Sequence, residues 1–333
     1  REGTDKHALP VVIGSHLDTQ PTGGKYDGVL GVLAGLEIIR TLNDLNIQTK
    51  HPIMIVNWTN EEGSRFPPAM MASAGYAGIY DVKTLLSAED AEGNIFGKEL
   101  EKIGWKGTEP VGEQKIHCYY ELHIEQGPVL ETEEIDIGVV THGQGLKWLE
   151  VQLSGTEQHT GTTPMHVRKD TSLAMSEIIL AVNNIAYKNQ PNALGSVGHI
   201  EVSPNSRNVI AGHSIFTIDF RSPDITKLDK MENELKLLAI DICKKYKVNF
   251  NMKPIGGFDP VTFDKDCLTN IRKSAEKFGY TYKDIVSGAG HDACWINSVA
   301  PSAMIMCPCV DGLSHNEAEE IKPEWASSST NVL

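Results

Sequence analysis

The chain has 333 residues, of which 40% are hydrophobic and 22% are charged, and these proportions are ordinary for a soluble globular protein. This length suits two domains better than one small core. The formal net charge of −14 argues against nucleic acids and acidic membranes as partners, because neutralising phosphates requires an excess of Lys and Arg. No apolar run reaches the length that spans a bilayer, so a membrane protein is excluded as a class.

Cysteine usage and the first residue bear on where the protein works. The six cysteines show no Cys-x-x-Cys spacing and stand at Cys118, Cys243, Cys267, Cys294, Cys307 and Cys309. This pattern predicts buried free thiols, and hence a reducing compartment and a cytoplasmic location. The chain begins at Arg1 instead of a methionine, which predicts a truncated sequence and leaves a preceding signal peptide open.

The first part of the chain predicts strands that alternate with a helix. Residues 9–15 and 53–58 are short apolar runs rich in Val and Ile, as in buried parallel strands. Residues 28–42 lie between them and carry apolar side chains at helical spacing, so the three segments form a βαβ unit. Open α/β sheets bind ligands at the carboxyl ends of such strands.

A different pattern begins near residue 146 and predicts a second domain. In chain order it shows a strand, a helix, two strands, a helix and a strand, at residues 148–153, 169–186, 198–201, 214–220, 226–246 and 248–253. This β-α-β-β-α-β order is the ferredoxin-like unit, which folds as a compact domain.

Residue types that bind metals occur before and after this second pattern, which predicts an insertion. We expect residues 1–145 and 256–333 to form the catalytic domain and residues 146–255 to form the inserted domain. The predicted fold class is α/β, with a helix-flanked, mostly parallel sheet that carries a ferredoxin-like α+β insertion.

Five residues that can bind divalent metals stand where strands should end, namely His16, Asp27, Glu62, His123 and His315. A carboxylate such as Asp27 can bridge two ions, while imidazoles and a further carboxylate hold the outer corners and leave one position for water. Asp27 also precedes a helix, so an N-cap role is the alternative for this residue. The set predicts a two-metal hydrolase.

Two further carboxylates accompany these ligands. Asp18 lies two residues after His16 and is predicted to orient its ring, although a purely structural cap would use the same residues. Glu61 neighbours Glu62 at a strand end, where adjacent side chains point apart. It is the predicted general base, which takes a proton from the attacking water and later delivers it to the leaving nitrogen. A solvated acidic turn is the alternative, which the apolar flanks on both sides disfavour.

Two other classes of hydrolytic enzyme lack their required residues. His123 and Glu125 match the His-x-Glu of zinc deaminases, but the stretch from Pro308 to Asp311 lacks the second cysteine of that motif. A Gly-x-Ser-x-Gly elbow is absent from the sequence, so a serine hydrolase has no visible nucleophile.

Seven ordered motifs resemble the metal-dependent carbamoylase branch of the M20 peptidases, which comprises N-carbamoyl-amino-acid hydrolases, yeast-type beta-alanine synthases (beta-ureidopropionases) and allantoate amidohydrolases. The motifs are GSHLDTQP (14–21), GGKYDG (23–28), NEEGSRF (60–66), ELHIEQG (121–127), GTTPM (161–165), SGAGHDA (287–293) and SHNE (314–317). The resemblance covers nearly the whole chain. It implies a catalytic domain with a helix-flanked sheet, an inserted dimerisation or lid domain, and a base at Glu61.

The same resemblance implies how the ligands divide between two ions. Asp27 would bridge the pair. His16 and His123 would hold one ion, and Glu62 and His315 the other. Zinc is the expected metal for such ligands, although manganese, cobalt or nickel would fit similar side chains.

Substrate contacts are also implied by the resemblance. Arg221 resembles the family's carboxylate clamp, and a guanidinium suits a two-bond contact, although an ion pair at a strand end is the simpler interpretation. His159 resembles the residue that polarises the scissile carbonyl and stabilises the oxyanion, donated across a dimer interface. Further substrate contacts would come from Asn208, Gln126, His291 and the backbone of Gly290.

The implied reaction is hydrolysis of the carbamoyl C–N bond of an N-carbamoyl amino acid or ureido acid, such as N-carbamoyl-beta-alanine, to an amino acid, ammonia and carbon dioxide. The expected partners are this small-molecule substrate and a second copy of the chain, in a homodimer that shares the site. Allantoate amidohydrolase and N-acyl-amino-acid deacylase activities would use the same ligands. A catalytically silent dimeric binding protein is the alternative of another class, against which the intact Glu61 argues.

Overall fold

The structure is a computed structural model that describes residues 1–333. The chain divides into two compact units. The first unit comprises residues 1–143 and 262–333, and the second comprises residues 144–261. The second unit is therefore inserted between two segments of the first.

The first segment of the first unit contains four strands and five helices. These are β1 (Val11–Ser15), α1 (Val29–Asp44), β2 (Ile53–Asn57), α2 (Met71–Tyr76), α3 (Val82–Leu86), α4 (Phe96–Lys102), β3 (Cys118–Ile124), α5 (Val129–Thr132) and β4 (Ile137–Gly143). The predicted strand–helix–strand unit is confirmed in β1, α1 and β2.

The second unit has the predicted order of strands and helices, with two short strands added. Its elements are β5 (Gly145–Ser154), β6 (Gln158–His159), a 3-10 turn (Met165–Val167), α6 (Thr171–Lys188), β7 (Leu194–Ser203), β8 (Val209–Ile210), β9 (His213–Ser222), α7 (Ile225–Tyr246) and β10 (Asn249–Phe258). β10, β5, β9 and β7 form an antiparallel sheet in that order. Side chains of α6, α7 and this sheet form one buried core.

Two details of the second unit follow from its sequence. Asp170 and Asp224 cap α6 and α7 by accepting hydrogen bonds from amides of the first turn, as N-cap residues do.

β10 continues past Pro254 through a shift of register to Phe258. The observed end of this unit at residue 261 therefore lies beyond the predicted 255.

The chain returns to the first unit with three strands and three helices. They are β11 (Val261–Thr262), α8 (Lys265–Phe278), β12 (Tyr282–Ser287), α9 (Asp292–Ile296), β13 (Ser302–Cys307), a 3-10 turn (Val310–Gly312) and α10 (Pro323–Val332). The seven-stranded sheet has the order β11-β4-β13-β3-β1-β2, with β12 paired to β4.

This sheet is mostly parallel, as predicted. β2, β1, β3 and β13 run in the same direction. β4 pairs with β13 in the antiparallel sense, and β12 runs parallel to β4. The carboxyl ends of the four parallel strands therefore meet at one edge of the sheet, and the segments that carry the candidate ligands leave from this edge.

Small residues let α1 lie close to the sheet. A Cβ atom added to Gly31 would lie 2.2 Å from the carbonyl oxygen of Leu122, and one added to Gly35 would lie 3.0 Å from the side chain of Ile13. Ala34 is also buried on this face. The close contact fixes the start of α1, and with it Asp27, against the ends of β1 and β3.

Two expectations from composition can be compared with the structure. All six cysteines are free and buried, as predicted. None of the helices combines the length with the apolar composition that crossing a bilayer requires.

Candidate metal centre

The predicted metal ligands form two adjoining triads in the first unit. His16, Asp27 and His123 form the inner triad, and Asp27, Glu62 and His315 form the outer triad. Within each triad the potential ligand atoms lie within 4.8 Å of one another. Asp27 belongs to both triads, so its carboxylate can serve two neighbouring cations.

The two oxygens of Asp27 face different triads. Oδ1 lies 2.9 Å from Nε2 of His123 and 3.6 Å from Nε2 of His16, whereas Oδ2 lies 3.2 Å from Nε2 of His315. Burial alone would raise the pKa of Asp27, but His123 and the other two histidines hold this pKa below its usual value. Asp27 is therefore an anion at neutral pH, as a metal ligand must be.

Backbone carbonyls orient the two imidazoles of the inner triad. Nδ1 of His16 lies 2.9 Å from the main-chain oxygen of Asp18, and Nδ1 of His123 lies 2.9 Å from that of Ile124. A ring nitrogen that faces a carbonyl oxygen must carry its hydrogen, so each ring turns Nε2 toward Asp27, and this nitrogen can bind a cation once it has lost its proton.

Gly28 allows the ring of His16 to lie against the start of α1. Its φ of +70° is in the left-handed region, and an added Cβ would lie 2.4 Å from the ring of His16. We expect Gly28→Ala to lower the free energy of unfolding by about 1–2 kcal/mol through backbone strain, and by about 1–3 kcal/mol more through the steric clash. The measurement is urea unfolding of the metal-free protein.

Gly78 supplies the matched control for this substitution. Its φ is +73°, and an added Cβ would meet no heavy atom within 4 Å. Gly78→Ala should therefore show only the backbone part of the cost. Equal losses at the two positions would contradict the contact argument for His16.

The side chain of Asp18 acts differently from the prediction. Its carboxylate accepts hydrogen bonds from the amides of Glu61 and Glu62, each at 3.1 Å. The contact to the His16 ring comes from the backbone of Asp18 instead. Because the amides of the segment after β2 face the end of β1, the carboxylate of Asp18 fixes the position of both glutamates.

The carboxylates of Glu61 and Glu62 diverge, as predicted for neighbours. Oε2 of Glu62 lies 3.5 Å from Nε2 of His315 and accepts a hydrogen bond of 2.8 Å from Gln20. Oε1 of Glu62 is buried and has no hydrogen-bond partner, so it is free to bind a ligand.

Glu61 lies over the inner triad, with Oε2 at 3.6 Å from Nε2 of His16. Its side chain is buried. Burial first, then the nearby carboxyl groups of Asp292 and Glu121, raise the pKa of Glu61 well above its usual value. A buried carboxyl group beside candidate metal ligands is placed as a general base and acid must be.

The first unit also brings two predicted substrate contacts to the triads. Gln126 donates to Oδ2 of Asp27 at 3.0 Å, and its own Oε1 is buried without a partner. The His291 ring centroid lies 4.5 Å from that of His123, and its Nε2 contacts Oγ of Ser287 at 2.8 Å. Burial and then His123 hold the pKa of His291 well below its usual value, so this imidazole is neutral. Gly290 directly precedes it.

The other predicted substrate contacts belong to the second unit. His159 lies on β6, is exposed, and accepts a hydrogen bond of 3.0 Å from the amide of Gly161. The backbone oxygen of Asn208 accepts from the amide of Thr160 at 3.1 Å. Arg221 lies on β9, where its guanidinium donates to the carboxylate of Asp219 from Nε at 3.1 Å and from Nη2 at 2.8 Å.

Several buried carboxylates beside the triads were given no role from the sequence. Glu121 accepts hydrogen bonds from Oγ of Ser15 at 2.9 Å, from the hydroxyl of Tyr119 at 3.2 Å and from the amide of Ala293 at 2.9 Å. It thus joins β1, β3 and α9, three elements that carry or adjoin site residues. A charged residue inside the buried run of β3 was the signal for it.

The chain is a hydrolase of the peptidase family M20/M25/M40, whose family model matches residues 12–333. The family resemblance inferred from the motifs is thereby confirmed.

Two individual relatives and one solved structure show which proteins the chain is similar to. The chain is 57% identical to the N-carbamoyl-L-amino-acid amidohydrolase of Rhizobium meliloti over 333 residues, which are 100% of this chain and 80% of that protein. It is 33% identical to the allantoate amidohydrolase of Escherichia coli (strain K12) over 320 residues, 95% of this chain and 78% of that protein. Among solved structures, an amidase of the hydantoinase/carbamoylase family from Burkholderia multivorans is 49% identical with a TM-score of 0.96, covering 100% of this chain and 81% of that chain.

Proposed function

We propose that this protein is a metal-dependent amidohydrolase that cleaves the carbamoyl C–N bond of N-carbamoyl amino acids or ureido acids, releasing an amino acid, ammonia and carbon dioxide. The observation that carries the proposal is the pair of triads sharing Asp27, with the buried carboxyl of Glu61 beside the inner one. The name of the relative at 57% identity supports the choice of substrate class.

The donor set fits two divalent cations. His16 and His123 would hold one ion with Asp27, and Glu62 and His315 would hold the other with Asp27. The unpartnered buried Oε1 of Glu62 supports this assignment, because a buried carboxylate oxygen is costly unless something binds it. Zinc is the first choice for this set of ligands, and manganese, cobalt or nickel would also fit. When bound, such ions supply Lewis-acid chemistry that polarises a substrate carbonyl and acidifies water.

The remaining steps fall to side chains of the chain itself. Glu61 takes a proton from the attacking water and delivers it to the nitrogen that leaves, and its burial suits both transfers. Asp18 keeps Glu61 in place through the backbone amide. In the same cleft, Gln126 and the neutral imidazole of His291 offer hydrogen bonds to the substrate, and the backbone at Gly290 allows close approach.

We further propose that the second unit mediates homodimerisation and supplies three substrate contacts. His159 would stabilise the negative charge on the carbamoyl oxygen, and its exposure in the second unit leaves it able to do so. Arg221 would bind the substrate carboxylate, in competition with its present partner Asp219. Asn208 would add a hydrogen bond. A cytoplasmic location is proposed from the six free thiols.

A panel of four substrate types tests the proposed activity. We expect the highest kcat/KM with N-carbamoyl amino acids, when compared with N-carbamoyl-beta-alanine, allantoate and N-acetyl amino acids. The N-acetyl compounds should be at least about tenfold poorer, because a methyl group leaves the site's polar groups without the hydrogen bonds of the carbamoyl amine.

The same panel tests the second candidate. An allantoate amidohydrolase activity is favoured by the relative from Escherichia coli, and a preference for allantoate would replace the first proposal with it. Protein treated with a chelator is the control, and it should lose turnover on every substrate. No turnover with any of the four, in protein that carries its ions, would favour a silent binding protein.

A further inference from the structure

Glu319 is a buried carboxylate on the chain segment that follows His315, and it was given no role from the sequence. Only 2% of it is exposed. Its Oε1 accepts hydrogen bonds from the backbone amides of Tyr26 at 2.9 Å and Asp27 at 3.0 Å. Its Oε2 accepts a hydrogen bond from Oγ of Ser314 at 3.1 Å. Glu319 therefore joins the loop that carries Asp27 to the loop that carries His315.

The glycine-rich turn before Asp27 is shaped to receive this carboxylate. A Cβ atom added to Gly24 would lie 2.2 Å from the carboxyl carbon of Glu319. A side chain at position 24 would therefore displace Glu319 and break its bonds to the turn. The absence of a side chain at Gly24 is thus explained by Glu319.

Ser314 gives Glu319 a second connection to Asp27. Its hydroxyl lies 3.2 Å from Oδ2 of Asp27 and 3.1 Å from Oε2 of Glu319, and it accepts a hydrogen bond of 3.1 Å from Gln126. A serine has one hydroxyl hydrogen and can donate to one carboxylate at a time. Glu319 thus competes with Asp27 for this hydrogen, and when it wins, Oδ2 of Asp27 has a lone pair free.

We propose that Glu319 is a positioning residue for the outer triad, which holds the backbone of Asp27 and withdraws the Ser314 hydroxyl so that Oδ2 of Asp27 can bind a cation. The inference rests on the proposed function, because it takes Asp27 as the ligand shared by two ions. The carboxylate of Glu319 is engaged by the amides of Tyr26 and Asp27 and by the Ser314 hydroxyl, so it is not assigned as a metal ligand. It acts through the turn and through Ser314, in the way that outer hydrogen-bond partners set the affinity of a metal site.

The two oxygens of the Glu319 carboxylate accept different hydrogen bonds, so substitutions can remove all of these bonds or only some of them. Glu319→Ala removes all three hydrogen bonds. Glu319→Gln keeps an oxygen that can accept from both amides, and its NH2 group can donate to the Ser314 oxygen, so it should retain part of the effect. Ser314→Ala removes only the hydroxyl. Glu320→Gln is the matched control, since Glu320 is the adjacent exposed acid and accepts a hydrogen bond from the hydroxyl of Tyr26.

The experiment is a Co²⁺ titration of the metal-free 333-residue chain and each variant, followed by visible absorption and equilibrium dialysis. We expect two ions per chain in the unsubstituted protein and in Glu320→Gln. Glu319→Ala should bind the second ion about 10- to 100-fold more weakly, with Glu319→Gln in between. Ser314→Ala has no hydroxyl that can occupy Oδ2 of Asp27, so it should bind the second ion as tightly as the unsubstituted protein. Thermal unfolding of each metal-free variant separates this from a purely structural role, which would lower the melting temperature but leave Co²⁺ affinity unchanged.

The outcomes separate this inference from the proposed function. If Glu319→Ala binds two ions with unchanged affinity, the inference about Glu319 is overturned and the proposed function is unaffected. An unsubstituted protein that binds no Co²⁺ would overturn the proposed metal pair and this inference with it. If Glu319→Ala does not fold, unchanged affinity in Glu319→Gln or weakened affinity in Ser314→Ala overturns the inference, and weakened affinity in Glu319→Gln alone supports it.

Discussion

Glu61→Gln is expected to lower kcat by about 10²- to 10⁴-fold, the usual contribution of a positioned general base, while the protein still binds its ions. The amide cannot take up a proton at neutral pH, although it fills nearly the same volume. Burial disfavours the charged form of Glu61 and raises its pKa, so replacing it with a neutral amide should not lower the free energy of unfolding. The measurement is kcat on an N-carbamoyl amino acid alongside metal content determined by elemental analysis.

The matched control is the same substitution one residue further along the chain. Glu62 accepts the hydrogen bond of Gln20 and faces His315, so Glu62→Gln should reduce the number of bound ions. The two variants therefore separate a base from a ligand. Retained turnover in Glu61→Gln, or loss of ions from it, would refute the assignment of the base.

The sequence was sufficient to predict the elements that present the ligands. Strand and helix periods in residues 9–58 are local signals, and parallel strands place their carboxyl ends at one edge. His16, Glu62 and His123 could therefore be expected to meet, although they are far apart in the chain. The ferredoxin-like order of the second unit was visible for the same reason, because each of its elements has its own period.

The direction of individual side chains could not be predicted in this way. The carboxylate of Asp18 binds amides 43 and 44 residues away, and only the packing of β2 against β1 decides that choice. Glu319 is a more extreme case, since its partners at Tyr26 and Asp27 are 293 and 292 residues distant. Local patterns carry no information about such pairs.

The position of Glu121 in a buried strand is a clue to the hydrogen-bond network around it. A glutamate between Tyr119 and His123 in a buried strand is unusual, because an unpaired buried charge is costly. A glutamate at such a position requires buried hydrogen-bond partners, and only the fold identifies them. The hydroxyl of Tyr119 also accepts a hydrogen bond of 3.1 Å from Nε1 of Trp58, so the network extends to the segment that leads to Glu61. Site geometry is consequently set by residues behind the cleft as well as those in it.

Asp27 belongs to both triads, so its substitution should have a large effect on metal binding. Asp27→Asn is expected to remove both ions, because the substitution takes one anionic oxygen from each triad and leaves an amide nitrogen, which cannot bind a cation, facing one of them. Turnover should fall to the level of chelated protein. At a free metal concentration of about 100 times Kd, loss of each site should also remove about 2.7 kcal/mol of metal-linked stability.

The variant His315→Ala tests whether two cations share Asp27 or whether Asp27 binds one cation and only lies near the second. His315 is 48% exposed and lies 3.2 Å from Oδ2 of Asp27, whereas the inner triad is buried. His315→Ala should therefore lose one ion and keep the inner one, and thermal unfolding at increasing Zn²⁺ should show about half the stabilisation. If Asp27→Asn lost a single ion, as His315→Ala is expected to do, Asp27 would belong to one cation only, and the two triads would have to be regarded as independent sites.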